Sequence, residues 1–306
     1  MPHDAEPADA LALGIFALAV VLGGSNFIAV RFSNAELDPF WGAGLRFSLA
    51  GALFVLIALG LRKPWPRGAQ LRLAVVYGVF GFALNYAFLY WALLRVTAGL
   101  ATIVLAVVPL VTLLLSVAQG HERLRARGVA GALLALAGIG WTTFGPGHVT
   151  LGLWPLAAML ASAVCVAQGM ILSKRLSANH PAVINAVGMI VGAPLLLALS
   201  LVAGETWAVP RGAQALWALG YLVTLGSVGL FVLVLLLVRR WTASAGSYMF
   251  VLFPVVTTVL GVWLADEPLS VHAVAGAVLV MLGVWFGALS PGARMAARRP
   301  LSQFAP

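Results

Sequence analysis

Hydrophobic residues occur in long runs that are separated by short charged or Pro/Gly-rich breaks. Each run is long enough to cross the hydrocarbon core of a bilayer, which takes about 20 helical residues. The runs are apolar on all faces and longer than barrel strands, so the pattern predicts helices. The simplest count is ten runs, near 11–32, 40–61, 71–92, 97–118, 127–144, 151–173, 182–203, 213–238, 243–264 and 271–289.

The second half of the chain repeats the first at a constant offset of about 145 residues. The repeat is ungapped between Arg95–Phe144 and Arg240–Leu289, and roughly a third of the positions are identical, which indicates a duplication. The repeated residues are Arg95, Thr97, Ala98, Pro109, Thr112, Glu122, Leu124, Ala130, Gly131, Ala132 and Gly138, which recur as Arg240, Thr242, Ala243, Pro254, Thr257, Glu267, Leu269, Ala275, Gly276, Ala277 and Gly283. Pro39 and Pro181 each begin the second span of their half. This match indicates that the duplication also includes the residues before Arg95 and before Arg240.

An odd number of spans per half forces the two repeats to cross the membrane in opposite directions. Lysine and arginine lie almost entirely on one side of the predicted topology, and the other side carries only Arg31, Arg95 and Arg211. The positive side stays cytoplasmic. We therefore predict an all-α integral membrane protein of ten transmembrane helices, arranged as two inverted five-helix repeats with both termini cytoplasmic. Residues 1–145 and 146–290 form the repeats, and residues 291–306 form a cytoplasmic tail.

Composition agrees with a membrane protein, because 62% of the residues are hydrophobic, 9% are charged and the mean hydropathy is +1.03. The net charge of +9 comes from short loops and does not indicate a nucleic-acid partner. Cys165 is the only cysteine, so the chain can form neither an intrachain disulfide nor a cysteine metal site. The first ten residues are acidic and do not resemble a cleaved signal peptide, so we expect the first run to remain as an anchor.

Paired sequence blocks carry a resemblance to a known family. They are Pro109–Glu122 with Leu124, Pro254–Glu267 with Leu269, the small-residue runs Gly128–Gly140 and Ala273–Gly283, and Arg46 within Leu45-Arg46-Phe47. Over almost its whole length the chain resembles the EamA-type ten-helix branch of the drug/metabolite transporter superfamily. Its aromatic third span and its length resemble bacterial exporters of aromatic and other amino acids.

This resemblance implies a multi-pass carrier of the bacterial inner membrane that exports small amphipathic metabolites. Amino acids with aromatic or other apolar side chains are the expected substrates, with a possible broad range, and drugs or other metabolites of the superfamily are the alternative. The expected partners are this small-molecule substrate and the lipid bilayer. The sequence leaves the oligomeric state open.

Two amides lie deep in matched spans, Asn26 in the first and Gln168 in the sixth. An amide in lipid is costly unless it faces a cavity or another helix. The two could therefore line a substrate pathway, or they could hydrogen-bond helix to helix and only hold the bundle. Other candidate lining residues at matched or neighbouring positions are Thr102, Ser247 and Tyr248.

The third span places aromatic and polar side chains together. At 100° per residue, Phe82, Tyr86 and Tyr90 share one face, and Gly78 and Asn85 lie beside it. Such a face could stack on an apolar substrate while a hydroxyl or amide orients it. The alternative is an aromatic belt at the membrane interface, which would suit the residues near the span ends, namely Tyr77, Tyr90 and Trp91.

Arg46 is the only charged residue well inside a predicted span. It could bind a substrate carboxylate with its fork of donors, or its long side chain could snorkel to the outer interface. The sequence favours the interface, because Arg46 lies only about a turn and a half from the start of its span.

Pro109 and Pro254 lie in mid-span at matched positions, where each removes a helical hydrogen bond. They could serve as hinges for alternating access, although prolines also occur in membrane helices without such a role. Glu122 and Glu267 each precede the next helix, where the positive end of the helix dipole favours a carboxylate. We expect a structural role for these two acids.

No Asp or Glu lies within a predicted span, and all five histidines fall in loops or at span ends. Facilitated or exchange transport is therefore predicted instead of strong proton coupling. The sequence has no phosphate-binding loop, so no resident ATPase is expected. We also expect no cofactor and no metal. An intramembrane hydrolase based on Ser25 lacks a mid-span histidine as base, and a passive channel would be expected to show rings of charge.

Overall fold

The computed structural model describes residues 10–120, 126–144, 152–241, 246–267 and 271–286, and these residues form helices without any strand. Several predicted runs correspond closely to a helix. In chain order the helices are α1 Ala10–Asn34, α2 Pro39–Gly60, α3 Gly68–Leu93, α4 Ala98–Ala118, α5 Ala126–Phe144, α6 Leu153–Arg175, α7 Pro181–Val202, α8 Ala213–Arg240, α9 Met249–Leu264 and α10 Val271–Val284.

Seven of the described helices, α1 to α4 and α6 to α8, are long and apolar enough to cross a membrane. Helices α5, α9 and α10 contain shorter apolar stretches. The predicted ninth run began near 243, whereas α9 begins at Met249, after a turn at Ser247 and Tyr248. Residues 242–245 lie outside the described part of the chain.

Proline and threonine explain where several helices begin. Pro39 and Pro181 occupy the first positions of α2 and α7, where an amide hydrogen would have no helical partner. Thr97 is the N-cap of α4, and its side chain accepts a hydrogen bond of 3.2 Å from the Leu100 amide. These helix starts follow directly from local sequence.

Each half contains a π-helical segment inside a longer α-helix, which the hydropathy pattern did not predict. The segments are Val79–Leu84 in α3 and Thr224–Gly229 in α8, and the duplication offset relates one to the other. Gly81 and Gly226 lie at equivalent positions within them. Single π turns inside α-helices are rare and occur often at functional sites.

The two matched prolines have different local effects. Pro109 lies just inside the segment Val108–Ala118, and α4 is interrupted by a turn at Ala106 and Val107 immediately before it. The cause is the missing amide hydrogen of proline, which cannot bond back to the preceding turn. Pro254 instead lies inside α9, which continues from Met249 to Leu264.

Glycines allow the closest helix contacts. A Cβ atom at Gly138 of α5 would lie 2.8 Å from the Val280 nitrogen of α10, and one at Gly283 would lie 2.6 Å from the Ala135 nitrogen. Helices α5 and α10 therefore pack backbone to backbone through equivalent positions of the two halves. Gly188 of α7 packs against the Phe82 ring of α3, since a Cβ atom at Gly188 would lie 2.6 Å from the ring.

Candidate functional site

A cavity of about 90 Å³ lies between the two halves of the helical bundle. This volume has room for roughly six water-sized groups. Both halves contribute to its lining, through α1 to α4 of the first half and α6, α8 and α9 of the second. Its polar lining residues are Asn26, Arg46, Tyr77, Asn85, Tyr86 and Ser173, and its aromatic ones include Phe27, Phe231, Phe250 and Phe253. The site therefore has a polar part and a larger aromatic part.

Arg46 provides the positive charge of this cavity. Its side chain is 0% exposed, so the expected snorkelling to the interface is wrong. The Nε atom donates to Ser227 Oγ at 2.9 Å, Nη1 to Tyr90 Oη at 3.2 Å and Nη2 to the Gly226 carbonyl at 2.9 Å. All three acceptors are neutral, and no carboxylate among the described residues forms an ion pair with Arg46.

Aromatic rings support the guanidinium from its own helix and from α3. The Arg46 Cζ atom lies 4.9 Å from the centre of the Phe47 ring and 5.1 Å from that of Tyr86. Both rings are within the range at which a cation is attracted to an aromatic face. This attraction stabilises the buried charge only in part, because no opposite charge among the described residues compensates it.

The π segment of α8 provides two of the three acceptors for Arg46. A π turn widens the helix locally and releases backbone groups from their usual partners. Gly226 and Ser227 lie in this segment, and the Gly226 carbonyl also accepts a bond of 3.0 Å from Asn26 Nδ2. One carbonyl therefore joins α1, α2 and α8 at the cavity.

Asn26 of α1 and Asn85 of α3 are buried amides that line the cavity. Asn85 Oδ1 accepts a bond of 2.6 Å from Ser162 of α6, and Asn85 Nδ2 donates to the Gly81 carbonyl at 3.4 Å. Asn26 donates to Gly226, but its Oδ1 atom has no hydrogen-bond partner among the described residues. Asn26, which lines the cavity, therefore has one buried acceptor without a partner.

The aromatic cluster centres on Phe47. Its ring centre lies 4.5 Å from Tyr86, 5.3 Å from Phe82 and 6.4 Å from Phe231, in edge-to-face arrangements. Tyr86 and Phe231 line the cavity, and Phe82 packs behind Phe231 at 4.8 Å. These rings give the cavity a rigid apolar wall.

The structure brings four of the sequence-predicted site residues together at the cavity, namely Asn26, Arg46, Asn85 and Tyr86. Gln168 accepts a bond of 2.8 Å from Gln119 at the end of α4, and Thr102 donates to the Gly99 carbonyl of its own helix. The predicted residues that do not line this cavity are Gly78, Phe82, Thr102, Gln168, Ser247 and Tyr248. Gly78 lies against the backbone of Gly188 on α7.

The alternative of an interfacial aromatic belt does not fit Tyr77 and Tyr90, two of its three members. Tyr90 is fully buried and bonds to Arg46, and Tyr77 is buried and donates to Asn185 Oδ1 at 3.4 Å. Both rings are covered by neighbouring helices that hydropathy alone does not locate. Trp91 is only partly buried, and its ring contacts the Arg95 guanidinium at 4.0 Å.

Carboxylates join the two halves at one end of the bundle, which we call the carboxylate face; it carries the α1–α2, α3–α4, α7–α8 and α9–α10 connections. Glu205 accepts from the amides of Phe40 and Trp41 at 3.1 and 2.7 Å, and Asp38 accepts from Thr206 at 2.8 Å. Glu205 therefore lies at the amino-terminal end of α2 from the opposite half, where the helix dipole favours negative charge, and Asp38 binds the α7–α8 connection.

Glu36 makes the same kind of contact with α8. Its carboxylate accepts from the Gly212 amide at 3.0 Å and from the Arg211 amide at 2.7 Å. These bonds from Gly212 and Arg211 hold the pKa of the Glu36 carboxyl below its usual range. The deprotonated form therefore fixes the α1–α2 connection to the start of α8.

Glu267 has the structural role expected for it, but with a different helix. Its two oxygens accept from the Ala98 amide at 2.9 Å and the Gly99 amide at 3.2 Å at the start of α4, and it pairs with Arg31 of α1. The prediction placed it at the start of the next helix, because proximity in sequence was the only guide. The equivalent Glu122 lies outside the described residues.

Sequence reasoning missed Ser227, Gly226 and Phe231 as parts of the site. Ser227 occupies the position in the second half that Phe82 occupies in the first. Because one residue is polar and the other aromatic, the repeat did not indicate a polar role for Ser227. A signal was nevertheless available, because Gly81 and Gly226 recur at the same position within otherwise bulky spans. Matched glycines of this kind mark places where another backbone or side chain approaches closely.

The sequence profile of the EamA-like transporter family matches residues 10–144 and again residues 153–288. The chain therefore belongs to the EamA-like transporter family. It is 29% identical over 258 residues to the uncharacterized inner membrane transporter YedA of Escherichia coli strain K12, covering 84% of this chain and 83% of YedA. It is a multi-pass transporter of the inner membrane.

A second relative carries a more specific name. The chain is 30% identical over 298 residues to a probable amino-acid metabolite efflux pump of Salmonella typhimurium, covering 92% of this chain and 96% of that protein. A solved crystal structure has the same fold, with a TM-score of 0.66 and 24% sequence identity. The match covers 94% of this chain and 99% of that one.

Proposed function

We propose that the protein exports small amphipathic metabolites, foremost amino acids with aromatic or other apolar side chains. The observation that carries this proposal is Arg46, a buried guanidinium without a carboxylate partner among the described residues, at a cavity with aromatic walls. A buried charge is costly unless an opposite charge compensates it. A substrate carboxylate is the group that would compensate it.

The remaining lining residues suit the rest of such a substrate. Tyr86 and Phe231 present rings to the cavity, and Asn85 lies beside them. Aromatic and apolar side chains of a substrate would stack on these rings, while the polar groups orient it. The name of the Salmonella relative, an amino-acid metabolite efflux pump, supports the same substrate class.

The transport unit we propose consists of ten spans in two inverted repeats, residues 1–145 and 146–290, with both termini and the tail 291–306 in the cytoplasm. Two independent matches to the same family profile support the repeats, as do the π segments at equivalent positions. Pro109 and Pro254 would act as hinges, since each removes a helical hydrogen bond near the cavity. Thr102, Gln168, Ser247 and Tyr248 would contact substrate in other conformations of the cycle.

Alternating access gives the carboxylate face a function. In the proposed topology it is the periplasmic face, and the contacts of Glu36, Asp38 and Glu205 hold it closed. The cavity extends away from the carboxylate face, as far as Ser173 near the end of α6 and Met249 at the start of α9. The structure then corresponds to a state that is closed towards the periplasm.

Exchange or facilitated transport is the energy mode we propose. The acids of the described helices and connections lie at the carboxylate face, and none lines the cavity. A proton-driven carrier would be expected to place a titratable carboxylate along the pathway. Accumulation of substrate driven by a proton gradient alone, without a substrate gradient, would contradict this mode.

Counterflow in proteoliposomes tests the function. Vesicles loaded with unlabelled phenylalanine should take up labelled phenylalanine rapidly, and Asn85→Ala should slow this entry at matched protein levels. Asn185→Ala is the matched control, because Asn185 is a buried amide outside the cavity lining. Exchange of drugs, sugars or nucleotides without any exchange of amino acids would refute the proposed substrate.

A further inference from the structure

One backbone oxygen fixes the distance between the two polar groups of the cavity. Asn26 Nδ2 lies 3.0 Å from the Gly226 carbonyl oxygen and Arg46 Nη2 lies 2.9 Å from it. The two nitrogens are therefore at most about 6 Å apart, whatever the angle between the bonds. An amide and a guanidinium are thus held side by side by α8.

The other atom of the amide is unused. Asn26 is 6% exposed, and its Oδ1 atom has no hydrogen-bond partner within the described part of the chain. Buried acceptors in proteins are nearly always paired, because an unpaired one loses its hydration without compensation. A Cβ atom at Gly226 would lie 2.2 Å from Oδ1, so only glycine at this position leaves room for the oxygen.

The Arg46 guanidinium also has N–H groups that donate to none of its three acceptors. It carries five N–H groups, of which Ser227, Tyr90 and Gly226 each accept one. The remaining N–H groups are on Nη1 and Nη2 and are donors only. Asn26 Oδ1 is an acceptor only, so the two groups are complementary in their hydrogen-bonding character.

We propose that Arg46 and Asn26 Oδ1 form a two-point subsite for the head group of an α-amino acid. This inference rests on the proposed function and adds the group that discriminates among its substrates. Arg46 binds the carboxylate, and Asn26 Oδ1 accepts a hydrogen bond from the ammonium group on the neighbouring carbon. The substrate side chain then extends towards Tyr86 and Phe231, which line the same cavity.

The subsite predicts which half of the head group each residue recognises. A carboxylate without an amine would satisfy Arg46 but leave Asn26 Oδ1 unpaired. An amine without a carboxylate would leave the guanidinium uncompensated. Sites built to hydrogen-bond a substrate group reject analogues that lack it far more strongly than sites that recognise shape alone.

Competition in the counterflow assay tests the subsite with the full chain in proteoliposomes. Unlabelled phenylalanine, 3-phenylpropionate and phenethylamine compete against labelled phenylalanine. For the wild type we expect both analogues to bind at least about tenfold more weakly than phenylalanine. Asn26→Leu should lower the affinity for phenylalanine about tenfold and leave that for 3-phenylpropionate unchanged, so that the preference for the amine disappears.

Two further variants separate recognition from folding. Asn26→Gln retains a neutral amide acceptor at this position and should keep the preference for phenylalanine over 3-phenylpropionate. Asn185→Leu changes a buried amide outside the cavity lining and should also keep the preference.

The possible results distinguish the subsite from the function as a whole. Rapid exchange of phenylalanine with equally strong competition by 3-phenylpropionate would overturn the subsite and leave the amino-acid carrier intact. Loss of the amine preference in Asn185→Leu as well as in Asn26→Leu would also overturn it. Absence of any amino-acid exchange by the wild type would overturn both proposals.

Discussion

Substitution of Arg46 by lysine tests whether the fork of donors, and not only the positive charge, is required. The guanidinium spans three acceptors on two helices, Tyr90 on α3 and Gly226 and Ser227 on α8. A lysine ammonium is a compact point charge and cannot reach all of them at once. The variant therefore keeps the charge but breaks part of the network.

The expected loss of interaction energy in Arg46→Lys follows from the number of hydrogen bonds that the variant cannot form. A hydrogen bond to a charged group contributes about 1.5–3 kcal/mol. If the lysine retains one of the three hydrogen bonds, the variant loses two of them, and the stabilisation from these bonds falls by about 3–6 kcal/mol. Loss of one fork contact to a bound carboxylate weakens binding by about 1.5–3 kcal/mol, or roughly ten- to 150-fold.

The assay is the initial rate of phenylalanine counterflow as a function of substrate concentration. We expect KM to rise by at least about tenfold in Arg46→Lys, at matched amounts of folded protein in the vesicles. Arg95→Lys is the control, because Arg95 contacts Trp91 away from the cavity lining. An Arg46→Lys protein with the wild-type KM would refute the assignment of a substrate carboxylate to Arg46.

Three other predictions concern packing and closure. Gly138→Leu should reduce the yield of folded protein in size-exclusion chromatography, because its side chain would meet the backbone of α10, whereas Gly140→Leu should be tolerated since nothing lies within 4 Å of a Cβ there. Glu205→Gln loses one of two carboxylate oxygens at the start of α2, and we expect a Tm lower by about 3 °C in a thermal melt; an unchanged Tm would contradict this role. Because the pKa of Glu36 is lowered in the folded state, its stabilisation is present above the ordinary Glu pKa and is lost as pH falls through the folded value. The Tm difference between wild type and Glu36→Gln should therefore stay constant from pH 7 to 5 and narrow only below about pH 4; narrowing at pH 6 would contradict it.

Much of the site could be anticipated from the sequence, for specific reasons. Arg46, Asn26 and Asn85 are polar residues in apolar surroundings, and such residues are too costly in a membrane to occur without a partner or a cavity. The sequence could not give the depth of Arg46, because the atoms that bury it come from α3 and α8. Burial depends on which helices cross there, and hydropathy along one span does not contain that information.

The sequence by itself determined the helical spans, their approximate ends and the duplication, because these depend on local hydropathy, helix-starting prolines and a constant offset. Only the tertiary structure decided that Glu267 caps α4 instead of the following helix, and that Gly226 joins Asn26 to Arg46. These contacts link residues that are far apart in the chain. Helix crossing and the π turn in α8 bring them together, and both depend on packing among several helices rather than on any one segment.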